Sequence, residues 1–170
     1  MYSTNPLILA IALLLGGAAT TATAATQTAQ FQVRITITES CDIQAVAASD
    51  IDFGTHARST GAPAEAQGTL QVTCTDGTPY TIGMSPGANA TSTTASANNR
   101  RMSDGAGNFI AYGLYRDSAR QDFWGEVAGT DTLASTGTAA AQDITVYGRA
   151  PSTNAPTGSY SDSVIATITY

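Results

Sequence analysis

No stretch of this chain sustains a helical period. Apolar and polar residues alternate instead, in short runs closed off by Gly, Pro, Asn, Asp or Ser. Such a pattern restricts the chain to an all-β fold in which each strand buries one face. Residues 69–75 place Leu70, Val72 and Cys74 on one side, and Tyr80, Ile82 and Met84 repeat the pattern. Residues 41–46, 51–54, 109–116, 143–149 and 160–170 read as further strands; the last puts Val164, Ala166 and Ile168 on one face. The polar stretches 87–107, 125–142 and 150–158 read as loops. Many short strands with turn signals point to a β-sandwich or barrel rather than a βαβ sheet. There is no internal repeat and no sign of a second domain.

The sharpest alternation comes first. In residues 29–41, Phe31, Val33, Ile35 and Ile37 alternate with Gln32, Arg34, Thr36 and Thr38, ahead of the first cysteine. About seven strands follow, and the final run reaches Tyr170 with no returning hairpin. An immunoglobulin-like sandwich closes with a strand that fills the gap beside its first. The expectation is therefore an incomplete immunoglobulin-like sandwich that lacks its final strand and carries a spare one at its front.

Residues 7–15 are an apolar run about half the length of a membrane span. Ala22-Thr23-Ala24 has the small-x-small form of a signal-peptidase site. Residues 1–24 thus read as a secretory signal peptide cut before Ala25, although only the α-amino group supplies positive charge to its front. A hydrophobic N-terminal anchor is the alternative, and the shortness of the run speaks against it. The chain contains no lysine, and seven arginines face thirteen acids for a net charge of −6. That argues against a nucleic-acid backbone binder, which needs a basic footprint, and disfavours docking on anionic lipid. In an exported chain the two cysteines, Cys41 and Cys74, imply one disulfide. Two sulfurs and a distant His56 do not make a four-ligand zinc site.

Several motifs resemble chemistry. Residues 83–87 fit the G-x-S-x-G nucleophile elbow, but the residue after Ser85 must donate its N–H to an oxyanion hole, and Pro86 has none. A strand ending in a Pro-Gly turn accounts for every residue there. His56 has no nucleophile nearby in sequence and reads as a turn or strand-edge residue. Asp50 and Asp52 read as a solvated strand face rather than a glycosidase pair, since alternate strand positions lie only about 6.5–7 Å apart. Asp104 to Asn108 superficially resembles a calcium loop but lacks its later bidentate glutamate. Asn89-Ala90-Thr91 fits a glycosylation pattern that is common by chance. Arg100, Arg101, Arg116 and Arg120 are expected to pair with Asp117 and Asp122, an acidic partner or glycan being the alternative. Trp124, the sole tryptophan, is expected in the core beside Phe123.

Taken in order, Cys41-Asp42-Ile43, Phe53-Gly54, residues 68–74 and Arg101-Met102 lead into residues 110–117, Phe123-Trp124-Gly125, Val146-Tyr147-Gly148, residues 158–162 and residues 164–170. This set resembles the spore coat protein U domain, the pilin fold of archaic (Csu-type) chaperone–usher pili, over nearly the whole mature chain. The resemblance implies a structural subunit with no catalytic residues, no cofactor and no metal. It implies a pilin domain over residues 39–170, a donor-strand segment over residues 25–38, and transit through the periplasm to a surface fimbria. The implied partners are a periplasmic chaperone, an outer-membrane usher and identical or related pilin subunits, with no nucleic acid and no stable membrane insertion. Donor-strand exchange would seat Phe31, Val33, Ile35 and Ile37, with Ala29 as a smaller fifth contact, in a neighbour's core for adhesion, biofilm or a surface coat. A chain of one pilin domain fits a shaft or minor subunit. The rival expectations are a self-contained spore-coat or cell-envelope protein whose first strand folds into its own core, and a carbohydrate-binding adhesin module; an enzyme is the least supported.

Overall fold

The computed structural model describes residues 25–45, 50–59, 62–96 and 99–170. The expected signal peptide, residues 1–24, and Val46 lie outside the described residues. Nine strands follow one another: β1 (Cys41–Ala45), β2 (Ala64–Cys74), β3 (Pro79–Met84), β4 (Arg101–Ser103), β5 (Phe109–Ala111), β6 (Gly113–Tyr115), β7 (Leu133–Thr136), β8 (Ala141–Ala150) and β9 (Ala166–Thr169). Every pairing is antiparallel, so the chain is all-β.

One sheet has the order β1-β2-β8-β6 and a second the order β7-β3-β9, with β4-β5 as a separate pair. The backbone of the first sheet is the β2–β8 ladder, ten pairs from Ala64↔Ala150 to Thr73↔Ala141. Alternation in β2 buries Leu70, Val72 and Cys74; alternation in β3 buries Tyr80, Ile82 and Met84. Together with Leu114, Val146 and Trp124 these residues form one core between the two sheets. Trp124 is fully buried, and its indole N–H donates to the Ile82 carbonyl at 2.8 Å, as a buried indole requires. Cys41 and Cys74 stand opposite each other in the β1–β2 register and are disulfide-bonded, Cα atoms 4.1 Å apart.

The structure departs from the sequence expectations where backbone pairing, not side-chain pattern, decides. Residues 51–54 form no strand. Ile51 and Phe53 lie over Gly148 of β8 instead, where a Cβ would come within 2.9 Å of Ile51 and 3.0 Å of Phe53. The expected strand 109–116 is two strands because its partner changes: Phe109–Ala111 pairs with β4, a register that the Tyr112 N–H extends by donating to the Arg100 carbonyl (3.0 Å), whereas Gly113–Tyr115 pairs with β8. The expected loops 87–107 and 125–142 contain β4 and β7, whose short, half-exposed faces carry little hydrophobic signal. Residues 29–40 join no strand, and Phe31, Val33, Ile35 and Ile37 are 83–84% exposed.

The disulfide closes a loop of 33 residues, for which chain entropy gives roughly 3–4 kcal/mol. Replacing both Cys41 and Cys74 by Ser is expected to lower unfolding stability by that amount. Urea denaturation of the oxidised protein and of the variant measures the difference.

Candidate functional site

Among the described residues, one side of the sandwich carries no closing strand. Ser163 and Ile165 give their carbonyls to Ala88 and Ser85 at 3.0 and 2.9 Å, leading into the β3–β9 ladder. Antiparallel backbone groups alternate in direction, so those of Val164, Ala166 and Ile168 turn away from β3. Among the described residues no strand pairs with that edge of β9. β1, the edge strand of the other sheet, is its neighbour across the gap.

A cleft of about 540 Å³ lies there. Its floor includes the buried side chains of Leu70, Met84, Leu114 and Val146. Its walls include Ile43, Ile51, Phe53, Met102, Val164 and Ala166, all packed on the core yet only half-buried. A closed sandwich hides such residues; here apolar surface meets water along a free sheet edge, which is a template for another strand.

Polar anchors hold the rim. The Tyr112 hydroxyl donates to Asp162 Oδ2 at 2.7 Å, and Asp162 Oδ1 accepts from the Asn89 backbone and side-chain nitrogens, both at 3.0 Å. Gly87 makes room: its φ is +91°, and a Cβ would fall 2.1 Å from Asp162 Oδ2. Burial, then the Asp162 carboxylate, push the Tyr112 phenol far above its ordinary value. Ser103 and Ser161 exchange backbone hydrogen bonds at 2.9 and 3.0 Å.

The catalytic look-alikes resolve into structure. Ser85 Oγ accepts the Ile165 N–H at 2.9 Å, so the apparent elbow serine is tied to the approach to β9. His56 is exposed, with Nε2 2.5 Å from the Phe53 carbonyl, and Asp52 accepts the Gly54 N–H at 2.7 Å; neither lies on a strand. Asp104 accepts from Ala106 and Asn108, and these bonds, the Asn108 side chain foremost, hold its carboxyl below the usual range. The Asn89 amide is engaged with Asp162, which explains that residue without a glycan. Trp124, being enclosed, offers no platform for a sugar.

The expected arginine pairing with Asp117 and Asp122 is corrected. Asp117 accepts the Gln121 and Asp122 N–H groups of its own turn, which leaves it no reason to bind a cation. Arg120 and Arg149 share Glu65 instead, at 3.1 and 2.7 Å. Arg116 donates to the Thr132 carbonyl, and Arg101 lies over the Phe109 ring at 3.8 Å. Arg100 is fully buried and donates to the carbonyls of Met84, Ser85 and Trp124. Sequence reasoning missed the roles of Arg100, Ser85 and Asp162; the ordered motif holding Tyr112 and Asp162 was the signal that pointed toward this region.

Comparisons with known proteins agree with this architecture. A model of the spore coat protein U domain matches residues 27–167. Protein U of Myxococcus xanthus is 33% identical over 158 residues, covering 88% of each chain. Among solved structures, the pre-assembly complex of the chaperone CsuC with the tip adhesion subunit CsuE, from the archaic chaperone–usher Csu pili of Acinetobacter baumannii, contains a similar chain. The match has a TM-score of 0.57 at 22% identity and covers 79% of this chain but 40% of that one. That likeness bears on the fold.

The Tyr112–Asp162 bond sets a pH dependence. Tyr112 has its folded pKa raised, so its stabilisation is complete below the unfolded value of about 10 and is lost as pH rises toward the folded value. Tyr112→Phe is expected to cost about 2 kcal/mol at neutral pH, the size of a hydrogen bond to a charged group, and to remove that alkaline slope. Denaturation curves at pH 7 to 11 check both.

Proposed function

The chain belongs to the spore coat protein U domain family, and we propose from that premise that it is a chaperone–usher-type fibre subunit joined head to tail by donor-strand exchange. Members of this family are structural subunits, not enzymes. The observation that carries the reading is that one chain holds two unfinished halves. One is a sandwich with an open cleft, floored by core side chains, beside an edge that no described strand pairs. The other is an exposed strand-like segment whose Phe31, Val33, Ile35 and Ile37 alternate with polar residues.

The halves are complementary in physics. An inserted strand pairs its backbone with the β9 edge and sends alternate side chains into the cleft. Burying Phe31, Val33, Ile35 and Ile37 gains very roughly 6–12 kcal/mol gross, from which the ordering of the segment subtracts. Ala29 is a smaller fifth contact.

The local chain path favours a neighbour as acceptor. Ser40 continues the β1 ladder, its carbonyl accepting the Thr75 N–H at 2.9 Å and its own N–H meeting Thr75 Oγ1 at 3.1 Å. Folding back onto the free edge of β1 requires a reversal within residues 37–39, which takes Ile37 out of the inserted run. Donation to another chain keeps all four side chains in register. Because donor and acceptor are different surfaces, each union leaves one of each free, and the assembly is an open filament.

In this reading residues 1–24 are a removed leader, residues 25–38 the donor and residues 39–170 the acceptor domain. A periplasmic chaperone covers the cleft before assembly, since an open cleft invites aggregation. An outer-membrane usher receives the subunit, and the product is a cell-surface fibre for adhesion, biofilm or coating.

Two variants test the polarity. Phe31→Asp with Ile35→Asp disables the donor; Ala166→Arg blocks the cleft. Each alone is expected to give no SDS-resistant polymer, and their mixture is expected to stop at a heterodimer, seen on unboiled gels and by light scattering. Polymers formed by the donor-disabled chain would refute the assignment.

A further inference from the structure

The buried arginine gives the open edge a specific support. Arg100 is fully enclosed, yet no carboxylate of the described residues lies within ion-pair distance of it. Its guanidinium donates from Nε and Nη2 to the Ser85 carbonyl (3.0 and 2.7 Å), from Nη2 to Met84 (2.8 Å) and from Nη1 to Trp124 (2.8 Å). Burying a guanidinium is costly, and a fork of bonds to fixed carbonyls is the arrangement that offsets it. The result is a rigid knot at the end of β3.

That knot reaches the cleft by two routes. Ser85 exchanges hydrogen bonds with Ile165, giving its N–H to the Ile165 carbonyl and accepting the Ile165 N–H at Oγ, each 2.9 Å. The Arg100 carbonyl accepts the Tyr112 N–H, and the Tyr112 hydroxyl holds Asp162. Asp162 and Ile165 bracket Val164, a cleft wall residue, at the approach to β9. An edge unpaired on one side tends to open locally. Here its approach is pinned to β3 through Ser85 and at the rim through Asp162.

We propose that Arg100 and Ser85 are positioning residues for strand uptake: Arg100 fixes Ser85, and Ser85 fixes Ile165, so that the receptive edge is ordered before a donor arrives. The inference deepens the donor-strand reading and rests on it. With the edge preorganised, association has to order the donor alone, which raises affinity without adding a contact to the donor.

The test uses the full chain carrying Phe31→Asp and Ile35→Asp as an acceptor without a competent donor. A synthetic peptide of residues 25–38 is the probe. Ser85→Ala removes the Oγ acceptor and leaves the Ser85 backbone bonds in place; Arg100→Lys keeps the charge and loses the fork. Peptide affinity and amide hydrogen exchange are measured together. Ser85→Ala is expected to weaken peptide binding about tenfold and to speed exchange at Ile165 by about as much, the effect of one lost hydrogen bond. Exchange at Val72 and Val146 stays unchanged. Arg100→Lys is expected to exceed both effects.

Unchanged affinity or unchanged Ile165 exchange in Ser85→Ala overturns the positioning role. A rise in exchange spread over β2 and β8 overturns it too, since that is the mark of general destabilisation. If the acceptor with Ser85 and Arg100 intact takes up no peptide, the donor-strand reading falls instead, while local exchange at Ile165 still reports whether Ser85 orders the edge.

Discussion

A backbone edge of β9 that no strand among the described residues pairs, beside a cleft floored by core side chains, is the constraint on which the rest of this structure depends. Sheet edges and half-covered cores are both unfavourable in water, and here they occur at the same place. Among the described residues the domain holds together with that edge unpaired. It does so through the ten-pair β2–β8 ladder, the disulfide that ties β1 to β2, and the enclosed Trp124 that joins β3 to the segment after β6. None of these features lies on β9 itself. The half-buried residues Ile43, Ile51, Phe53, Met102, Val164 and Ala166 gather beside it.

Polar residues serve the same division. Charged side chains are few, and the best connected of them hold backbone rather than face solvent. Arg100 grips carbonyls at the end of β3, and Asp162 gathers Tyr112 and Asn89 at the rim. Glu65 joins Arg120 and Arg149 across the first sheet. The binding face proposed here, built on backbone pairing, needs no exposed charge for recognition. Alternate apolar side chains and a fixed edge are enough, which is consistent with the weakly charged composition of the whole chain.

Much of this was legible in the sequence where side chains dictate the outcome. Leu70, Val72 and Cys74, and then Tyr80, Ile82 and Met84, alternate because each strand faces the core on one side only. The same periodicity in Phe31 to Ile37 marks a segment fit for burial, although among the described residues it pairs with no strand. What pairing and local geometry dictate was not legible. Ile51 and Phe53 have strand-like alternation but pack as an extended cover over Gly148. β4 and β7 are held by hydrogen bonds that leave almost no apolar trace. Arg100 looks like any surface arginine, because a cation among backbone carbonyls has no signature in the residues beside it. The break at Tyr112 follows from a change of partner, from β4 to β8, which no pattern in residues 109–116 announces.

The central claim is that Phe31 and its alternating neighbours complete another chain's sandwich. A photoreactive benzophenone side chain installed at position 31 reads this directly, by irradiation of assembled fibres and mass-spectrometric mapping of the new bond. Cross-links between two chains, from position 31 of one to the cleft walls around Ile43, Val164 or Ala166 of the next, are the expected result. A cross-link confined to a single chain, in material of monomer mass, would show that the segment completes its own core and would contradict the claim.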